Sequence, residues 1–149
     1  MKTKAEYAAH RAANTQEIAE TKLVEARKAS LVSEFEAMLP AFMDAVGCDG
    51  EQFAVDPLTF TMPTSAQWES WVNAHEIHPV DMALAVTTAT YGTTTVTISA
   101  YLSRHAKRAP KKICYAVTAL SPKVVTERYG LFGRKTRTFT AENRRYVRF

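Results

Sequence analysis

Five permanent cations fall within nine residues at Arg104, Lys107, Arg108, Lys111 and Lys112. Guanidinium and ammonium groups at this density neutralise phosphates, which raises affinity for a polyanion without reading its sequence. A second stretch interleaves cations with aromatic rings: Arg128, Tyr129, Phe132, Arg134, Lys135, Arg137, Phe139, Arg144, Arg145, Tyr146, Arg148 and Phe149. Along an extended strand Lys135, Arg137 and Phe139 share one face, while Thr136, Thr138 and Thr140 share the other. Rings that stack on bases beside cations that track the backbone suit single-stranded nucleic acid. The contacts expected with nucleic acid or another polyanion are therefore Arg104, Lys107, Arg108, Lys111, Lys112, Arg134, Lys135, Arg137, Phe139, Arg144, Arg145 and Tyr146. Against this stands a plainer reading, in which the loop cations keep a sheet edge soluble and the arginines reach out of an aromatic core.

Other chemistry finds less support. His75 and His78 are three apart, with Asp81 nearby, but the spacing is not HExxH, Pro79 interrupts it and a further strong ligand is missing. Gly47 to Glu51 lacks the alternating oxygens of a calcium loop. A nucleophile could be drawn from Cys114 with His105 or from any of the many Ser and Thr residues, but the apolar strand around Cys114 makes its thiol inert packing. There is no GxSxG, no phosphate-cradling glycine loop and no dinucleotide fingerprint. Gly130-Leu131-Phe132-Gly133 has the spacing of the GxxG loop of KH domains, but it joins expected strands and its middle residues are apolar, so it is not that module. No catalytic residue, metal or cofactor is expected.

The net charge of +4 conceals a strong asymmetry. Residues 29–103 contain Glu34, Glu36, Asp44, Asp49, Glu51, Asp56, Glu69, Glu76 and Asp81 and no Lys or Arg at all. From Arg104 onward thirteen Lys and Arg residues face only Glu127 and Glu142. Such a one-sided basic half points to an anionic partner. Two further outcomes are open: the halves neutralise within one chain, or the acidic middle of one copy docks on the basic end of the next, a head-to-tail contact that builds rings or filaments.

The elements that must carry these residues follow from periodicity. Residues 3–39 have no Gly or Pro and are rich in Ala, Glu, Lys and Leu, which predicts one long helix. Leu23, Val24, Leu31, Phe35, Met38, Leu39 and Phe42 form its apolar stripe, whereas the first 20 residues offer little beyond alanines and are expected to project, fray or lie on another chain. Pro40 is expected to kink or break the helix and Gly47 to end it. A short strand is predicted at 58–62. Thr64-Ser65-Ala66-Gln67 has the form of a capping box opening a helix over 65–76. Met82, Leu84 and Val86 alternate, turn at Tyr91-Gly92, and continue as Val96, Ile98, Ala100 and Leu102, which is a hairpin. Ile113 to Leu120 is apolar on both faces, as in a central strand packed on two sides or one next to another subunit. Val124–Tyr129 pairs with Lys135–Thr140, and Arg144–Phe149 adds an edge.

The expected class is α+β, with a long N-terminal helix and a second short helix on one face of a mostly antiparallel sheet of five or six strands. Residues 1–46 form the long helix, broken near Pro40, and residues 47–149 form an α+β domain with an acidic first part and a basic C-terminal meander. A chain of 149 residues with 46% hydrophobic and 23% charged residues, 5 Gly and 6 Pro has the composition of an ordinary globular domain. At this length folding buries roughly 68–70% of the unfolded surface, so Cys48 and Cys114 are not needed as a disulfide framework. Without a long apolar run or a secretion signal, the expectation is a soluble, non-membrane protein of the cytoplasm, or of a macromolecular assembly or virion. Two functions fit: a small non-catalytic protein whose basic half engages nucleic acid or another polyanion, or a structural subunit of an oligomeric assembly that uses the N-terminal helix and the charged halves for subunit contacts.

Overall fold

The computed structural model describes residues 3–48, 52–72, 82–102 and 113–149. Helix α1 (Lys4–Ala45) is 42 residues long, a rod of about 63 Å. It opens on its own capping box: the Thr3 amide donates to Glu6 Oε2 at 2.7 Å, and the Glu6 amide donates to Thr3 Oγ1 at 3.2 Å. Its two halves differ as the stripe requires. Residues 3–19 are exposed on every face, whereas Leu31, Phe35, Phe42 and Met43 are buried.

Pro40 does not end the helix, which continues to Ala45. Proline removes one backbone donor, but Phe42 and Met43, 0% and 1% exposed, anchor the last turn in the core beyond it. Gly47 does close the helix. With φ at 77° it turns the chain so that the Gly47 amide donates to Asp44 O at 2.9 Å and the Cys48 amide to Met43 O at 2.8 Å, a Schellman termination.

The sheet is α1's partner. β1 (Ala54–Val55) and β2 (Thr59–Phe60) are two short strands on one edge of β3 (Met82–Tyr91), followed by β4 (Thr94–Leu102), β5 (Ile113–Tyr129) and β6 (Lys135–Arg148). Every pairing among the described residues is antiparallel. The fold is α+β, a six-stranded antiparallel sheet with a long and a short helix. Its core joins Leu31, Phe35, Phe42 and Met43 of α1 to Val96, Ile98 and Ala100 of β4 and to Tyr115, Val117 and Ala119 of β5. Phe42 is the hub, with ring centroids 4.9 Å from both Tyr115 and Phe149 and 6.0 Å from Phe35. Burial first, and the negative charge of Glu34 second, push the Tyr115 phenol well above the usual tyrosine range.

Helix α2 (Ser65–Val72) starts on the expected capping box: the Thr64 amide donates to Gln67 Oε1 at 3.0 Å, and the Gln67 amide donates to Thr64 Oγ1 at 3.2 Å. It is latched to α1 at three points. The Ser65 amide donates to Glu20 Oε1 at 2.7 Å, Arg27 and Glu69 form a 3.6 Å ion pair, and the Arg27 guanidinium lies 4.5 Å from the Trp68 ring centre.

Two strand expectations need correction. Met82, Leu84 and Val86 do not share the core face, because a register shift between Ala83 and Ala85 changes the phase of β3. Leu84 and Ala85 are both buried, Val86 is 39% exposed, and Thr87 turns inward at 4%. The strands expected at 113–120 and 124–129 are one strand, β5, and those at 135–140 and 144–149 merge into β6. Pro122 does not interrupt β5 because beyond Leu120, the last partner of β4, that strand has a neighbour on one side only.

Candidate functional site

The merged strands give the molecule its principal exposed feature. β4 leaves β5 at the pair Thr95 and Leu120, but β5 and β6 stay paired from Ser121 and Asn143 out to Tyr129 and Lys135. At about 3.3 Å per residue this is a two-stranded ribbon of roughly 30 Å standing beyond the body of the sheet. An isolated hairpin is marginal in water, so its cross-strand pairs matter.

One face of the ribbon opposes Val125 to Phe139, Glu127 to Arg137 and Tyr129 to Lys135. Arg137 pairs with Glu127, and its guanidinium lies 5.8 Å from the Tyr129 ring centre and 5.6 Å from that of Phe139. A cation held between two rings adds to pairing and fixes the rings in place. The other face carries Val124 opposite Thr140, Thr126 opposite Thr138 with hydroxyl oxygens 3.2 Å apart, and Arg128 opposite Thr136. Lys123, Arg128, Arg134 and Lys135 form no ion pair among the described residues. On the ribbon, therefore, none of the described carboxylates of the acidic middle forms an ion pair with these four cations.

The tip is apolar. Gly130 leads into a single turn, Leu131–Gly133, in which Leu131 is 80% and Phe132 83% exposed. Phe132 also sits at φ 60° and ψ 21°, in the left-handed region that glycine and asparagine favour. That conformation costs an L-residue of this size roughly 1–2 kcal/mol. Neither solvation nor backbone preference accounts for a phenylalanine there. The Arg134 guanidinium lies 5.9 Å from its ring.

The sequence-predicted contacts separate into four groups. Lys135, Arg137 and Phe139 share one ribbon face, as the strand period requires, with Arg134 at the tip. Arg144 and Tyr146 lie nearer the body on β6, opposite Leu120 and Thr118, on the sheet face turned away from α1, where Tyr146 is 52% exposed. Arg145 points the other way: its Nη1 donates to Val46 O at 2.9 Å, fastening β6 to the end of α1. It is a structural anchor. Arg104, Lys107, Arg108, Lys111 and Lys112 lie outside the described residues, as do His75, His78 and Asp81. Arg148, part of the interleaved stretch, donates from Nε to the Tyr101 hydroxyl at 2.9 Å.

Sequence reasoning names Arg128 in the interleaved stretch without counting it among the contacts, and it does not single out Leu131, the ribbon cation Lys123 or the anchoring role of Arg145. Two glycines bracketing apolar residues between basic strands are the signal that could mark an exposed tip. Nothing local pairs Arg145 with Val46, because the contact spans 99 residues of chain. Equally unforeseen is a groove of about 450 Å³ on the opposite edge of the sheet, between α1 and the β1–β2 segment, lined by Val32, Phe35, Leu39, Leu58, Glu36 and Asp56. Among the described residues no group of three or more His, Cys, Asp or Glu side chains is placed to hold a metal ion. No described helix is long and apolar enough to cross a membrane. No protein-family model, curated protein or solved structure matches the chain.

Proposed function

We propose that this is a non-catalytic binding protein whose projecting ribbon engages nucleic acid or a comparable polyanion. The observation that carries the reading is the ribbon itself: cations and rings share an extended support away from the body, and four of the cations have no carboxylate partner among the described residues. Such a support reaches along a phosphate backbone while Tyr129 and Phe139 on one ribbon face, 45% and 41% exposed, offer surfaces for base stacking, and Tyr146, 52% exposed, offers another nearer the body on the opposite face. Phosphate contacts of this kind give affinity and little sequence preference.

The test is anisotropy of labelled single-stranded and duplex oligonucleotides with nuclease-treated protein across a salt series. Log affinity is expected to fall linearly with log salt. Replacing Lys123, Arg134 and Lys135 by alanine should reduce the slope by about one for each phosphate left without its cation. No binding at low salt, or an unchanged slope, rules the reading out.

A second reading, a subunit of an oligomeric assembly, is favoured by a separate observation. Residues 3–19 of α1 extend about 25 Å with every face exposed. A free helical rod at one end and a free ribbon at another are the two appendages an assembly subunit offers its neighbours.

A further inference from the structure

The exposed tip and the groove are complementary in polarity and charge. The tip presents Leu131 and Phe132, 80% and 83% exposed, with Arg128, Arg134 and Lys135 around them. The groove offers an apolar floor of Val32, Phe35, Leu39 and Leu58, with the exposed carboxylates Glu36 and Asp56 in its walls. Neither carboxylate has an ion-pair partner among the described residues. Each surface supplies what the other lacks: exposed apolar side chains and cations without anions on one side, an apolar floor and anions on the other.

We propose that the ribbon tip of one copy of this chain docks into the α1/β1–β2 groove of a second copy. The inference rests on the assembly reading and deepens it by naming its partner and surfaces; it shares Arg128, Arg134 and Lys135 with the nucleic-acid reading, whose further contacts Lys123 and Phe139 lie on the ribbon's shaft. A tip cannot serve its own groove. The groove lies on the β1/β2 edge of β3, while the ribbon leaves from β5 and β6 on the far side of β4 and runs on along the strand direction. Contact is therefore between copies and joins two different patches, a heterologous arrangement that propagates from copy to copy unless rotation closes it. The left-handed Phe132 gains a reason: the turn holds the ring outward, where an anchor residue for a pocket must stand. Acidic walls then select this tip over other apolar segments, because a neutral or acidic segment leaves Glu36 and Asp56 unanswered.

The experiment is sedimentation velocity on the full chain, free of nucleic acid, from micromolar to near-millimolar concentration. The wild-type chain is expected to self-associate, and Leu131→Ser with Phe132→Asn to weaken association at least tenfold. Both residues are exposed and asparagine suits the left-handed turn, so this variant keeps its fold, which circular dichroism checks. Glu36→Lys with Asp56→Lys should weaken association to the same degree, and so should Arg134→Glu with Lys135→Glu. Two rescues are specific to the geometry. A tip variant mixed with a groove variant should form a one-to-one heterodimer and nothing larger, because only one intact tip and one intact groove remain. A chain carrying both charge reversals should regain association. A wild-type monomer at every concentration overturns the docking, with nucleic-acid binding by the shaft still readable on the same sample. Association that persists in the tip and groove variants also overturns it and places subunit contacts elsewhere, on α1.

Discussion

Arg145 on the last strand donates to the carbonyl of Val46, the residue that caps α1, at 2.9 Å, and its guanidinium passes over Gly47. The relationship ties the end of the chain to the end of the helix and gives Gly47 two reasons to lack a side chain. Its φ of 77° disfavours any L-residue, and a Cβ there would overlap the guanidinium. Gly47→Ala is expected to destabilise the fold by about 1–2 kcal/mol from the backbone alone, with more from displacing Arg145. Arg145→Ala should cost about 1–3 kcal/mol by leaving a helix-end carbonyl without its donor. Combined, the two should cost less than their sum, since each disrupts the same contact. Urea denaturation of the four proteins measures this, and strict additivity would show that the contact carries no energy.

Glu20 holds the first amide of α2, and that gives the helix pair a pH dependence. The Ser65 hydrogen bond is the main reason the Glu20 carboxyl titrates below its ordinary value, with a smaller contribution from Arg27. A depressed carboxyl stabilises the folded state above its unfolded value of about 4.3, and loses that contribution as pH falls through the lower folded value. Acidification below about pH 4 should therefore loosen α2 from α1. The chain's two tryptophans, Trp68 and Trp71, are both on α2, so tryptophan emission reports on this helix alone. The expected result is an emission change at acid pH that Glu20→Gln largely abolishes. An identical acid profile in the variant would assign the change to other carboxylates.

The exposed start of α1 makes a third prediction. Residues 3–19 are exposed on every face, and the latch to α2 begins only at Glu20. Removing residues 1–16 should leave the melting temperature within about 2 °C of the full chain, because it removes surface and no core packing. A fall of about 5 °C or more in a monomeric sample would show that the rod contributes to the fold and is not only an appendage.

Much of this architecture is legible in the sequence because the relevant patterns are local. The stripe that opens at Leu23 marks the packed half of α1, although Leu23 itself is 42% exposed and burial begins at Leu31, the absence of such a stripe before it marks the free half, and Thr64 to Gln67 marks the start of α2. Features set by distant partners are not legible. Pro40 reads as a helix breaker in isolation, yet Phe42 and Met43 carry the helix past it through contacts with the sheet. The strands expected at 113–120 and 124–129 run together through Pro122, which falls where β4 has ended. The candidate site divides in the same way: alternation places Lys135, Arg137 and Phe139 on one face and sets Arg145 opposite its neighbours Arg144 and Tyr146, but it cannot show that the Arg145 side chain meets the end of α1 and serves Val46.

The phase change in β3 yields the last prediction. A bulge puts two successive residues of one strand opposite one of its partner, so side chains beyond it change faces. After the shift between Ala83 and Ala85, Val86 faces outward and Thr87 inward. An inward hydroxyl is tolerable because Thr87 Oγ1 donates to Asp56 O at 2.6 Å, which also fastens the segment between β1 and β2 to β3. Thr87→Val preserves shape and β propensity but leaves that carbonyl without its donor, so it should destabilise by about 1–3 kcal/mol. Val86→Thr, the same exchange reversed one position earlier, should change stability by less than about 0.5 kcal/mol because its side chain meets solvent. Chemical denaturation of both variants separates the two faces. If Val86→Thr proved the more damaging, the phase of β3 would be the one that simple alternation predicts, and the bulge would have to be abandoned.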